Sequence, residues 1–90
     1  MLFGTKKKND YRKTLRHFIE KNFYIKDSFG DDDSFFEKGI IDSTGVLELV
    51  AFIEKAYNIV IEDEEVIPDN LDTINCLIKF VKNKFETIEI

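Results

Sequence analysis

Three segments of this 90-residue chain repeat apolar side chains at spacings of three and four, a pattern that only helices satisfy. Tyr11, Leu15, Phe18, Ile19 and Phe23 form the first stripe, with Arg12, Lys13, Arg16 and Lys21 between them. Val46, Leu49, Val50, Ile53 and Tyr57 form the second, and Ile74, Leu77, Ile78, Val81 and Phe85 the third. Each stripe needs a partner to cover it, so the helices must pack on one another. Alternation of the strand type is confined to the four residues Asn58 to Ile61. The expected fold is all-α: a small four-helix bundle of three main helices plus one short one, with a long loop between the first and second.

The ends of these helices carry signals of their own. Asn9 or Asp10 is expected to cap the first helix, and the second runs from about Ser43 to Tyr57. Asp63 is expected to cap a short helix through Ile67, closed by Pro68 and the Asp-Asn after it. Asp72 or Thr73 caps the last helix, which reaches about Lys84. The helical domain is thus 9–85, with a mobile tail at 1–8 and a second tail at 86–90. In the long connection, Ile25, Phe29, Phe35, Phe36, Ile40 and Ile41 need burial. Asp33 is positioned to cap one turn, Ser34 to Glu37, which Gly39 ends. The run Asp31-Asp32-Asp33 suggests calcium, but counting from Asp31 puts Phe36 and Asp42 where an EF-hand loop needs Gly and Glu. No metal site is expected.

Charge narrows the partners. Residues 1–30 hold eight Lys/Arg and three Asp/Glu, whereas 31–90 hold five and fifteen. From Asp42 to Asp72 nine acids face one base, Lys55. Such a surface repels nucleic acid and attracts basic protein surfaces. No apolar run is long enough to cross a membrane, and the N-terminus lacks the apolar segment of a signal peptide. A lone cysteine, Cys76, requires no oxidising compartment, so a cytoplasmic location is expected. One histidine, His17, lies off the first apolar stripe, and one Cys and one His do not make a zinc set. With no Gly-rich phosphate loop either, an enzyme is not expected.

Ser43 is the residue left to explain. Asp-Ser before a helix is commonly only a cap. Asp42 can cap by itself, which puts Ser43 in the first turn with its hydroxyl outward. The amides there are unpaired and the helix dipole is positive, so a phosphate attached to Ser43 is well placed. Gly45, costly in a helix by roughly 1 kcal/mol relative to Ala, is expected to leave the approach to Ser43 open. No base lies within sequence reach to make Ser43 a nucleophile, so it reads as a serine modified from outside.

At this point the sequence resembles an acyl carrier protein. "GIIDSTGVLELVAFIEKAYNIVIEDEEV" is similar to that family's attachment motif, second helix, loop and acidic third helix, and "LDTINCLIKFV" to its closing helix. The resemblance implies that Ser43 receives 4′-phosphopantetheine from coenzyme A by way of a separate phosphopantetheinyl transferase, with Asp42 as the preceding acidic residue. It also implies a docking face of Leu47, Glu48, Ala51 and Glu54 on the second helix, extended by Asp63, Glu64 and Val66 on the third. Ile61 is implied to line the loop beside the tethered group. Thr44 departs from the family's usual leucine after the serine, and Lys55 falls where carriers are often acidic.

The expected function is that of a free-standing, monomeric carrier in fatty acid or more specialised lipid metabolism, without its own catalytic site. It would hold acyl groups as thioesters and deliver them to acyl-processing enzymes with basic docking patches. An alternative on the same scaffold is an aminoacyl or peptidyl carrier loaded by an adenylating ligase. A second alternative, of another class, is a helical adaptor binding a basic partner through its acidic face.

Overall fold

The computed structural model of the chain describes residues 10–88. Four α-helices follow one another: α1 (Tyr11–Asn22), α2 (Ser43–Tyr57), α3 (Pro68–Leu71) and α4 (Ile74–Ile88), with a 3₁₀ turn, Asp63–Glu65, ahead of α3. Among the described residues there is no strand, and no helix is long and apolar enough to cross a membrane. The expected all-α bundle, three long helices and a short one, is the fold observed.

α4 is the hub, packing against α1, α2 and α3. Leu15 and Ile19 of α1, Leu49 and Ile53 of α2, and Ile74, Leu77 and Val81 of α4 are all essentially inaccessible to water. These are the i, i+4 and i+3 positions of the three stripes, so the periodicity maps directly onto the core. At the edge of that core, Phe18 of α1 stacks on Phe52 of α2 with ring centroids 4.0 Å apart. Asp10 caps α1 by accepting from the Lys13 N–H at 3.0 Å. Asn58 ends α2 in the left-handed region, and its N–H returns to the Glu54 carbonyl.

The connection from Phe23 to Asp42 has no regular structure yet is pinned at several points. Arg16 lies over the Phe29 ring and donates to the Phe29 carbonyl at 2.8 Å. Arg12 and Arg16 both pair with Asp31, at 2.7 and 2.8 Å. Asn75 of α4 donates its backbone N–H to the Asp31 carbonyl and its side-chain amide to Asp32. Asp33 accepts from Gly30 N–H and pairs loosely with Lys38. The acidic triplet thus fastens the loop to α1 and α4. Two of the basic residues of α1, Arg12 and Arg16, are taken up in this clamp.

Arg12 and Arg16 hold the Asp31 carboxyl below the ordinary carboxylate range. A carboxylate whose pKa is depressed by folding contributes stability at neutral pH and loses it as pH falls through the folded value. The melting temperature of Asp31→Asn should therefore lie below wild type at pH 7, and the gap should close on acidification below about pH 4. A gap unchanged between pH 7 and pH 3 would exclude the clamp as an ionic one.

Four expected boundaries are corrected. Ser34, not Asp33, caps the turn that Gly39 ends, its hydroxyl accepting from the Glu37 N–H. Pro68 opens a helix instead of closing one, because a residue without an N–H loses nothing at the first helical position. The 3₁₀ turn before it is capped by Glu62, not Asp63, with the Glu65 carboxylate accepting the Glu62 N–H and pairing with Lys84. Finally, α4 runs past Lys84 to Ile88, so the tail expected at 86–90 begins as helix, and its last two residues lie outside the described ones. The expected tail at 1–8 also lies outside the described residues.

Candidate functional site

The start of α2 is built by Asp42. Its backbone is extended, its carboxylate accepts the Gly45 N–H at 2.8 Å, and its carbonyl accepts the Val46 N–H. Ser43 is consequently the first helical residue, not the cap, and its side chain is exposed. The hydroxyl has no structural duty at this helix end. Thr44 beside it is exposed as well.

Gly45 plays a different part from the one expected. It is buried, and a Cβ built on it would fall 2.9 Å from Cε1 of Phe23 and 3.1 Å from Cγ2 of Ile41. The glycine lets the first turn of α2 close against the end of α1; it does not clear a path to Ser43. Gly45→Ala would gain about 1 kcal/mol of helix propensity but force the Phe23 ring aside, an overpacking cost of about 1–3 kcal/mol. A net loss of stability is expected in chemical denaturation, and a variant more stable than wild type would refute the close contact.

Ser43 opens onto a half-open cleft of about 360 Å³. One wall comes from the pinned loop, through Phe35, Phe36 and Ile41, and the other from Val66, Ile67 and Leu71, with Val46 and Leu49 of α2 between them. Asp72 ties the two walls. Its carboxylate accepts the Ser34 hydroxyl and the Phe36 N–H, and its carbonyl accepts the Phe35 N–H at 2.9 Å. The capping duty at α4 falls instead to Thr73, whose hydroxyl accepts the Cys76 N–H at 3.0 Å. Sequence reasoning missed Asp72 because its partners lie more than thirty positions away. Every titratable side chain lining this cleft, Glu37, Asp42 and Asp72, is acidic.

The other residues singled out in the sequence do not all fall together. Leu47, Glu48 and Ala51 are exposed on α2, and Asp63 and Glu64 are exposed on the 3₁₀ turn. Val66 lines the cleft. Glu54 is half-buried, and its carboxylate accepts the Ile61 N–H at 2.8 Å, so it braces the loop after α2. Ile61, implied to lie beside the tethered group, is a buried core residue and is not among the residues lining the cleft beside Ser43. Its alternation with exposed Val60 turns it inward.

Comparison with known proteins identifies the family. Residues 13–81 match the family described as "phosphopantetheine attachment site". The D-alanyl carrier protein of Streptococcus suis (strain 05ZYH33) is 31% identical over 72 residues, which span 80% of this chain and 91% of that protein. No solved structure matches the chain.

Proposed function

The chain belongs to the phosphopantetheine-attachment family and is a carrier protein with covalently attached 4′-phosphopantetheine, and we propose that Ser43 is the residue that holds this group. One observation carries the assignment: Ser43 is exposed at the first position of α2 while Asp42 performs the capping. The site fits a phosphodiester. The first-turn amides and the positive end of the helix dipole favour negative charge there, and modification of the hydroxyl leaves every hydrogen bond of the helix start intact. When bound, the group supplies a terminal thiol on which an acyl group is held as a thioester.

The remaining roles of the chain are scaffolding and presentation, without a catalytic site of its own. Asp42 fixes the start of α2, and Asp72 and Glu54 fix the loops on either side. Leu47, Glu48, Ala51, Asp63 and Glu64 form an acidic face with an apolar centre, suited to partners bearing basic patches: the modifying transferase, a loading ligase and acyl-processing enzymes. Complementary charge accelerates encounter and is weakened by salt, which suits a carrier that must dock and leave repeatedly. Intact mass after incubation with coenzyme A and a broad-specificity transferase tests the assignment. A helical adaptor without a carrier role would gain no mass.

For the cargo, an acyl group in a lipid pathway is supported by the mostly apolar lining of the cleft beside Ser43. A second reading, an aminoacyl carrier loaded by an adenylating ligase, is favoured by the similarity to a D-alanyl carrier protein. The mass of the thioester on protein purified from its own host separates the two, and release by hydroxylamine identifies the bond.

A further inference from the structure

Five large apolar side chains are exposed among the described residues: Tyr24 (82%), Phe36 (70%), Leu47 (67%), Val60 (64%) and Ile67 (42%). Four of the five flank the start of α2. Phe36 and Ile67 line the same cleft as Ser43. Leu47 is four residues after Ser43 and so lies one turn along the same helix face. Tyr24 lines a second groove with Asp42, Thr44 and Glu48, and Asp42 also lines the Ser43 cleft. Val60 belongs to a separate groove with Asn58, Glu62 and Lys84, which has no lining residue in common with the Ser43 cleft.

Exposed apolar groups gathered around one point mark an interaction surface. Here the point is the hydroxyl to be modified. The enzyme that modifies Ser43 must bring its reacting centre into contact with that hydroxyl, so side chains flanking Ser43 lie beneath it. Two of them, Tyr24 and Phe36, come from the α1–α2 loop and not from α2 itself. We propose that Tyr24 and Phe36 are docking residues for the phosphopantetheinyl transferase, forming with Leu47 and Ile67 an apolar collar around Ser43. Glu37 and Asp42 line the cleft with Phe36 and Ile67, and Asp42 and Glu48 line the groove with Tyr24, so the complementary surface is apolar with basic groups. Aromatic side chains of this kind, covered at the centre of an interface, carry a large share of binding energy. The fixed loop matters: the Asp31 and Asp72 hydrogen bonds hold the backbone that presents Phe36, so little ordering is needed on docking.

The inference rests on Ser43 being the attachment residue, and the experiment keeps the two apart. The double variant Tyr24→Ser/Phe36→Ser, the control Val60→Ser and wild type are compared for coenzyme A-dependent mass gain with a broad-specificity transferase. Transferase affinity is measured separately by calorimetry in an unreactive Ser43→Ala background. The double variant should raise KM and Kd by about tenfold with kcat and melting temperature little changed. Val60→Ser should match wild type. Tyr24→Phe/Phe36→Leu, which keeps the apolar bodies, should recover most of the affinity even if the serine variant loses stability. KM and Kd equal to wild type in the double variant, with wild type modified at Ser43, would overturn the collar alone. Absence of modification in wild type, or equal modification of Ser43→Ala, would overturn the attachment assignment instead.

Discussion

Ser43→Ala should gain no phosphopantetheinyl mass under conditions that fully convert wild type, and it should unfold at nearly the same denaturant concentration. The first half follows if this hydroxyl is the acceptor. The second follows from the cap: Asp42 supplies the oxygen that accepts the Gly45 N–H, so the exposed Ser43 side chain can be removed without orphaning a backbone group. A shift within about 1 kcal/mol is expected, whereas Asp42→Ala should cost about 0.5–2 kcal/mol as a lost N-cap. Thr44 makes the experiment sharper, since it leaves an exposed hydroxyl one position away in the variant. Peptide mapping of wild type distinguishes the two positions. Modification of Ser43→Ala to the wild-type extent would remove Ser43 from the site, and a loss of several kcal/mol would make it a structural residue.

The parts of this molecule legible in its sequence are those written in short-range terms. The spacing of Leu15 and Ile19, or of Leu49 and Ile53, needs no knowledge of the partner helix to show which face is buried. Asp10 and Asp42 act on amides three positions away, and both caps are readable for that reason. The loop was not legible, because its order depends on residues distant in sequence: Arg12 and Arg16 on Asp31, Asn75 on Asp32, and Asp72 on Ser34 and Phe36. Pro68 and Gly45 were misread for another reason. Proline marks both the stop and the start of a helix, and only the chain after it decides which. A glycine in a helix signals either open space or close contact, and Phe23 and Ile41 make it contact here. The cleft could not be anticipated at all, since its walls come from segments that meet only in the folded chain.

Leu49→Ala provides the opposite case to Ser43→Ala, on the same helix. Leu49 is 1% exposed, packed in the core between α2 and α4, and it also forms part of the floor of the Ser43 cleft. Truncation removes buried methyl groups and leaves a void, and such changes cost about 2–5 kcal/mol depending on how far the surroundings collapse. Here collapse is restrained on two sides. Asp72 holds the loop wall of the cleft, and Ile53, Ile74 and Leu77 are themselves fully buried. The void would join the cleft and enlarge it, so little of the loss is recovered, and about 3–4 kcal/mol is the expected value. For a domain of this size, that corresponds to a fall in melting temperature on the order of 15–25 °C. Ser43 stays exposed and Asp42 keeps its cap, so the fraction that remains folded should still accept the phosphopantetheinyl group. A Leu49→Ala variant that melts within about 4 °C of wild type would mean a loss under 1 kcal/mol, and α2 would then not be held to the core through this residue.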